Sequence, residues 1–228
     1  MFKIEKIKIP KDEVLRYLGY KEQKLSIDLE NLIDATIDEA ENLMDFKYTY
    51  SKHKTVLLED GVLMEGTNLI LKGQDIKEHL KYAKDTVLMA ATLGGRIEKQ
   101  IRLYEKINLT KALILDSCAT AAIEEGCDKI EECIKEEEAK EGLSITFRFS
   151  PGYGDLPLSV QKEFLNALNA EKIIGLTASE HQLLLPRKSV TAIIGLIPKE
   201  KAQDKKGCEV CKNYENCSFR REGIICGH

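Results

Sequence analysis

Apolar positions along the chain follow two different periods. Leu29, Leu32, Ile33, Ile37, Ala40 and Leu43 recur every three to four residues with acidic residues between them. That spacing predicts an amphipathic helix of about four turns. Residues 1–25 carry only a weak pattern. Two apolar runs between Thr55 and Glu65 flank Asp60-Gly61, a dipeptide suited to positive φ, and predict a tight hairpin. Asn68 to Leu71 predicts another strand, and Asp75 is placed to cap a short helix through Ile76, Leu80 and Ala83. Thr86 to Thr92 is apolar throughout and predicts a buried strand. Gly94-Gly95 breaks the chain and opens a helix carrying Ile97, Ile101 and Tyr104.

The longest predicted helix runs from about Thr110 to Lys140, with Leu113, Ala119, Ala122, Ile123, Ile130 and Ile134 inward. Its small residues, from Ser117 to Ala122, permit close approach of another backbone or a ligand. Its charged end, Lys135 to Glu141, reads as a solvated face. Leu143 to Phe149 alternates as a strand does, with Ile145, Phe147 and Phe149 on one face and Thr146 and Arg148 on the other. A turn-rich stretch, Ser150 to Pro157, precedes a helix that Ser159 is expected to cap. Ser189 to Ile197 predicts a last strand, closed by Pro198. Strands and helices do not alternate regularly. The expected fold is therefore α+β: a mostly antiparallel twisted sheet with flanking helices over residues 1–198, followed by a linker and a short cysteine-rich tail over residues 199–228. No G-x-G-x-x-G follows a strand and no P-loop is present.

Charge narrows the function. The chain of 228 residues has a formal net charge of −4, without the basic excess of a general nucleic-acid binder. No apolar run approaches the roughly 18 residues that span a bilayer. The N-terminus lacks the apolar stretch of a secretory signal. The expectation is a cytoplasmic protein with no nucleic-acid or membrane partner. Seven cysteines in that compartment read as thiols or metal ligands. Cys118, Cys127 and Cys133 are spread along the long helix, as core residues are. Cys208, Cys211, Cys217 and Cys226 instead cluster as C-x2-C-x5-C-x8-C, with His228 at the end. Four thiolates suit either a tetrahedral zinc or an iron–sulfur cluster, and the spacing matches neither standard pattern closely.

Arg148-Phe-Ser-Pro151-Gly152-Tyr153-Gly154-Asp155 is the most informative stretch. A guanidinium on the polar strand face, just before a loop, can grip a carboxylate with two hydrogen bonds. Pro151 stiffens the loop, the glycines admit a ligand close to the backbone, and Tyr153 offers a flat ring and a hydroxyl. The same features also describe a surface ion pair beside an ordinary Pro-Gly turn.

The run Arg148-x-x-Pro-Gly-Tyr153, with Asp155 and Pro157 after it, resembles the activation domain of cobalamin-dependent methionine synthase. So do Leu176-Thr-Ala-Ser179, Pro186-x-Lys-Ser-Val-Thr191, Ala91-Thr-Leu-Gly94 and the small-residue helix around Asp116–Glu124. The similarity covers residues 85–198. It implies a domain that binds S-adenosylmethionine and docks over a cobalamin module, so that oxidised cob(II)alamin is reduced and remethylated. It implies Arg148, Gly152 and Tyr153 as S-adenosylmethionine contacts, and an acidic residue of the preceding helix, nearest to Thr120 in register with Glu124 one turn on. Family aromatic positions fall on Ile194 and Gly195. The homocysteine, folate and cobalamin modules do not fit in 228 residues. The resemblance thus implies a free-standing reactivation subunit that serves a separate cobalamin-binding methionine synthase, with a flavodoxin- or ferredoxin-type electron donor. Reduced cobalamin is itself the nucleophile, which agrees with four scattered histidines and no His–Asp or Cys–His constellation. Two other readings stand beside this one: a non-catalytic S-adenosylmethionine-binding or corrinoid-capping module with a structural zinc tail, and a metal-tail redox protein.

Overall fold

The computed structural model describes residues 4, 6–21 and 23–202. In chain order the elements are α1 (Lys11–Tyr17), α2 (Ile27–Leu43), β1 (Lys47–Leu57), β2 (Gly61–Met64), β3 (Ile70–Lys72), α3 (Gln74–His79), β4 (Asp85–Thr92), α4 (Gly95–Ile107), α5 (Leu109–Lys140), β5 (Leu143–Ile145), α6 (Gln161–Ala167), α7 (Ala170–Ile174), β6 (Thr177–Ala178), β7 (Leu184–Leu185) and β8 (Ser189–Pro198). Six strands form one antiparallel sheet in the order β3-β2-β1-β4-β8-β5, and β6 and β7 form a separate small hairpin. This is the α+β class that the pattern predicts.

Helices cover both faces of the sheet, so there are two cores. One lies between the sheet and α1, α2, α4 and α5; the other between the sheet and α3, α6 and α7. The central strands serve both. Val87, Met89 and Ala91 of β4 face the first core, while Leu88 and Ala90 face the second. That is why Thr86 to Thr92 is apolar without alternation. Strand β8 divides likewise, with Ala192, Ile194 and Leu196 on one side and Ile193 and Ile197 on the other.

The small residues of α5 let its backbone sit close to its neighbours. A Cβ on Gly126 would come within 2.3 Å of the Phe46 ring. Cys118 and Cys127 are fully buried core residues and Cys133 is half-buried. Burial pushes the Cys118 thiol up to about 12. Two expectations for this helix are corrected. Leu113 points outward, on the same stripe as Asp116, Thr120 and Glu124. At the charged end Glu138 is buried, because Lys52 of β1 donates to both of its carboxylate oxygens at 2.9 and 2.8 Å.

The hairpin at Asp60-Gly61 forms, and Leu58 N–H donates to Gly61 C=O at 2.9 Å. Glycine is needed there for space: a Cβ would lie 2.4 Å from the Leu71 carbonyl oxygen of β3. The weakly patterned N-terminus contributes α1, whose Val14 is fully buried and which packs on α5. Ser159 makes no side-chain cap, and the helix it was expected to start opens with a 3-10 turn, Leu158–Val160.

The edge strand departs from simple alternation. Ile145 pairs with Leu196, yet Phe149 pairs with Ile193. Thr146, Phe147 and Arg148 therefore stand opposite only Ile194 and Gly195, which is a β-bulge. One extra residue exchanges the faces. Ile145 packs in the first core and Phe149 in the second, and Phe147 is exposed. The expectation that these three side chains share a face is thus overturned. The bulge is tied twice at its first residue: Thr146 N–H donates to Gly195 C=O at 2.9 Å, and Gly195 N–H donates to Thr146 Oγ1 at 2.8 Å.

Helix α3 starts at Gly73, not on a cap from Asp75. Its cap comes from 80 residues away. The Asp155 carboxylate accepts from Gln74 N–H at 2.6 Å and from Asp75 N–H at 3.0 Å. Gly73 has φ 137°, and a Cβ there would meet Asp155 Oδ1 at 2.4 Å. Asp155→Ala should lower stability by about 1–2 kcal/mol, read as a lower urea midpoint at unchanged m value. An unchanged midpoint would show that this contact does not hold α3.

Candidate functional site

The site begins with the bulge. Because it shifts the register, Arg148 leaves the sheet edge on the α5 side. Its side chain, 19% exposed, lies against three carboxylates of α5. Nη2 donates to Glu124 Oε2 at 3.3 Å, and Nη1 stands 2.7 Å from Asp128 Oδ1 and 3.4 Å from Glu131 Oε2. Nη1 is thus buried between two carboxylates, with Asp128 much the nearer. Glu124, Asp128 and Glu131 are spaced i, i+4, i+7, which puts them on one helical face. Burial works against the Arg148 charge, but the surrounding carboxylates outweigh it and raise its pKa. For Glu124 the balance runs the other way. Burial, helped by Asp128, holds its carboxyl above the ordinary value although Arg148 and Arg16 pull it down.

Glu124, one turn beyond the family register position, is therefore a direct partner of Arg148. Thr120, the other candidate, accepts from Lys188 Nζ at 2.8 Å, and the same ammonium pairs with Asp116 at 2.9 Å. Asp128 and Glu131 were not singled out from sequence, although their spacing from Glu124 was a usable signal. Arg16 and Tyr17, at the end of α1, also lie within electrostatic reach of Glu124. Nothing in the weak N-terminal pattern pointed to them.

The glycine loop follows Arg148 in the chain but is built by other contacts. Gly152 has φ 95°, its N–H donates to Leu156 C=O at 2.8 Å, and a Cβ would lie 3.1 Å from Leu158 Cδ2. Gly154 has φ 53°, and a Cβ there would strike the Asp75 carboxylate at 2.2 Å. Tyr153 is exposed, and its ring meets Phe149 edge-on at 5.9 Å. The family aromatic positions are occupied differently. Ile194 is buried in the first core, and both backbone polar groups of Gly195 are bonded to Thr146.

The second motif block holds this edge in place. Thr191 Oγ1 donates to Gln161 Oε1 at 3.0 Å, a buried bond that ties α6 to β8. Ser189 Oγ lies 2.7 Å from Pro186 C=O and 2.8 Å from Thr92 Oγ1. Thr92 Oγ1 in turn accepts from Gly94 N–H at 3.1 Å. Ser179 and Leu183 close the small hairpin, with Ser179 N–H on Leu183 C=O at 2.9 Å. Two surface hollows lie elsewhere: one of about 680 Å³ around Lys52, Asp85 and Lys140, and one of about 250 Å³ around Asn68, Lys72 and Glu163.

The four tail cysteines lie outside the described residues, and among the described residues no three His, Cys, Asp or Glu side chains are placed to hold a metal ion. No helix among the described residues is long and apolar enough to cross a membrane.

His79 supports the bulge from the second core. Its Nε2 is 2.9 Å from Thr146 Oγ1, and its ring lies 4.5 Å from Phe147 and 5.0 Å from Phe149. Burial pushes its pKa down to about 4. Between pH 6.5 and about 4 the unfolded chain binds this proton and the folded chain does not. The stability that depends on neutral His79 is therefore complete above pH 6.5 and falls as pH drops toward 4. The loss should reach about 3 kcal/mol at most. His79→Gln should flatten this part of the stability–pH curve; an equally steep curve in the variant would assign the acid sensitivity to other groups.

No protein-family model matches the chain, and no curated protein matches it in sequence. Among solved structures it is similar to one described as the crystal structure of the MetH reactivation domain bound to AdoHcy. The TM-score is 0.60 and the identity 14%, over 92% of this chain and 76% of that one. At this identity the likeness is one of fold: the chain has the architecture of a methionine synthase reactivation domain.

Proposed function

We propose that this protein binds S-adenosylmethionine at the sheet edge formed by Arg148, Glu124, Gly152 and Tyr153, and presents it to a separate cobalamin-binding methionine synthase for reductive reactivation. The carrying observation is Arg148, a guanidinium at the sheet edge in the R-x-x-P-G-Y run, within a fold like that of a reactivation domain that binds AdoHcy. Charge favours a particular ligand class. Arg148 with three carboxylates carries a local charge of −2 when all are ionised. A bare anion is repelled there. A ligand that joins a carboxylate to positive groups suits it, with the carboxylate on Arg148 and the positive groups near Glu124. S-adenosylmethionine, with an ammonium and a sulfonium, is such a ligand. Gly152 keeps the loop low, and Tyr153 provides an exposed ring and hydroxyl at the rim.

When bound, S-adenosylmethionine supplies an electrophilic methyl group to the partner's cobalamin, once a flavodoxin- or ferredoxin-type donor has reduced it, and leaves as S-adenosylhomocysteine. The chain's own task is to bind and orient, so no general base is needed. Arg148→Ala should weaken S-adenosylmethionine binding by about 2–4 kcal/mol, measured by calorimetry on variants whose circular dichroism is native. Arg148→Lys keeps the charge but loses the fork, and should fall between. Wild-type affinity in both folded variants would overturn the assignment.

The division at residue 198 belongs to the same proposal: residues 199–228 form a linker and a metal-binding tail, with Cys208, Cys211, Cys217 and Cys226 as ligands of zinc or an iron–sulfur cluster. Anaerobically purified protein should contain one metal centre, seen by elemental analysis, with visible absorption only for iron–sulfur. Retention should fall in acid as thiolates protonate. Metal-free protein with four alkylatable tail cysteines would reject the centre.

A further inference from the structure

In this structure the residue assigned to the ligand carboxylate is already engaged. We infer that Asp128 competes with the ligand for Arg148, and that Glu131 positions the guanidinium for it. The inference rests on the reading of Arg148 as the carboxylate-binding residue.

A carboxylate held by a guanidinium needs two N–H groups directed together. Nη1 is crowded by Asp128 at 2.7 Å and Glu131 at 3.4 Å, so both carboxylates stand where a ligand carboxylate would bind. One of the blocking groups must move when a ligand enters, and exposure decides which. The Asp128 side chain is 52% exposed and Glu131 only 17%. Asp128 can turn into water and regain full hydration, so its release costs little. Glu131 would take its charge away from Arg148 while remaining largely buried, which is far more costly. Asp128 therefore acts as a displaceable stand-in for the ligand carboxylate. Glu131 stays and keeps the fork aimed at the edge.

The two acids, three positions apart on one helix, should then have opposite effects. Full-length protein is titrated calorimetrically with S-adenosylmethionine. Asp128→Asn should bind about 2- to 5-fold tighter than wild type, while its ligand-free melting temperature falls. The gain should shrink as salt rises, because an exposed ion pair is screened. Glu131→Gln should bind about 5-fold weaker, and Glu131→Asp should recover part of the loss. Affinity in Asp128→Asn and Asp128→Ala equal to or below wild type, with binding still lost in Arg148→Ala, would overturn the competition and leave the site standing. Unchanged or tighter binding in Glu131→Gln would overturn the positioning role. Binding that survives in Arg148→Ala would overturn the site itself, and the inference with it.

Discussion

One surplus residue in the edge strand governs the rest of this structure. Three residues, Thr146 to Arg148, stand where the register of β8 offers two. Had the register that pairs Ile145 with Leu196 continued, Arg148 would have faced the second core, among Ile193, Ile197 and Leu80. Burying an unpaired guanidinium there would cost several kcal/mol. Phe149 would have turned toward α5 and its carboxylates. The bulge removes both conflicts in one step. Gly195 makes it possible, since a Cβ there would lie 2.9 Å from Leu80 Cδ2 and 3.2 Å from Thr146 Cγ2. Thr146 and His79 then fasten it from the second core.

Much of the Arg148–Asp155 motif is spent on structure. Asp155 caps α3, Gly154 makes room for the Asp75 carboxylate, and Gly152 supplies a positive φ beside Leu158. The Pro186–Thr191 block joins β8 to α6 and to the end of β4. Arg148, turned to the α5 carboxylates, and the exposed Tyr153 remain as motif residues without such a structural task. A rigid edge with two such side chains is what a small-ligand site on an antiparallel sheet requires, because preorganised groups lose less freedom on binding.

The electrostatics of the site come from α5 as much as from the motif. A guanidinium facing three carboxylates is held firmly, and the cluster keeps a surplus of negative charge when all of them are ionised. Two of the described histidines are held in structural contacts. His79 is a half-buried support, and His53 is engaged with Ser51 Oγ at 2.7 Å and Glu65 C=O at 3.2 Å.

What was legible in the sequence is what local periodicity encodes. The spacing of apolar residues marked α2, α4 and α5, the uniform burial of β4, and the hairpin after β1, because side chains one turn or two residues apart meet the same environment. The motif drew attention to Arg148, and its acidic partner was placed by register nearest to Thr120 with Glu124 one turn on; the structure sets Glu124 against the guanidinium. The features decided only by tertiary structure all depend on distant partners. Asp155 reaches α3 across 80 residues, Lys52 reaches Glu138 across 86, and β8 decides how many residues of the edge strand it will accept. A period of two cannot reveal a bulge, since the extra residue is visible only against the strand it fails to match. Leu113 fits an inward stripe by spacing alone, yet it lies on the stripe that leads to the site, because the packing of α5 against the sheet, not its own sequence, sets which side faces water.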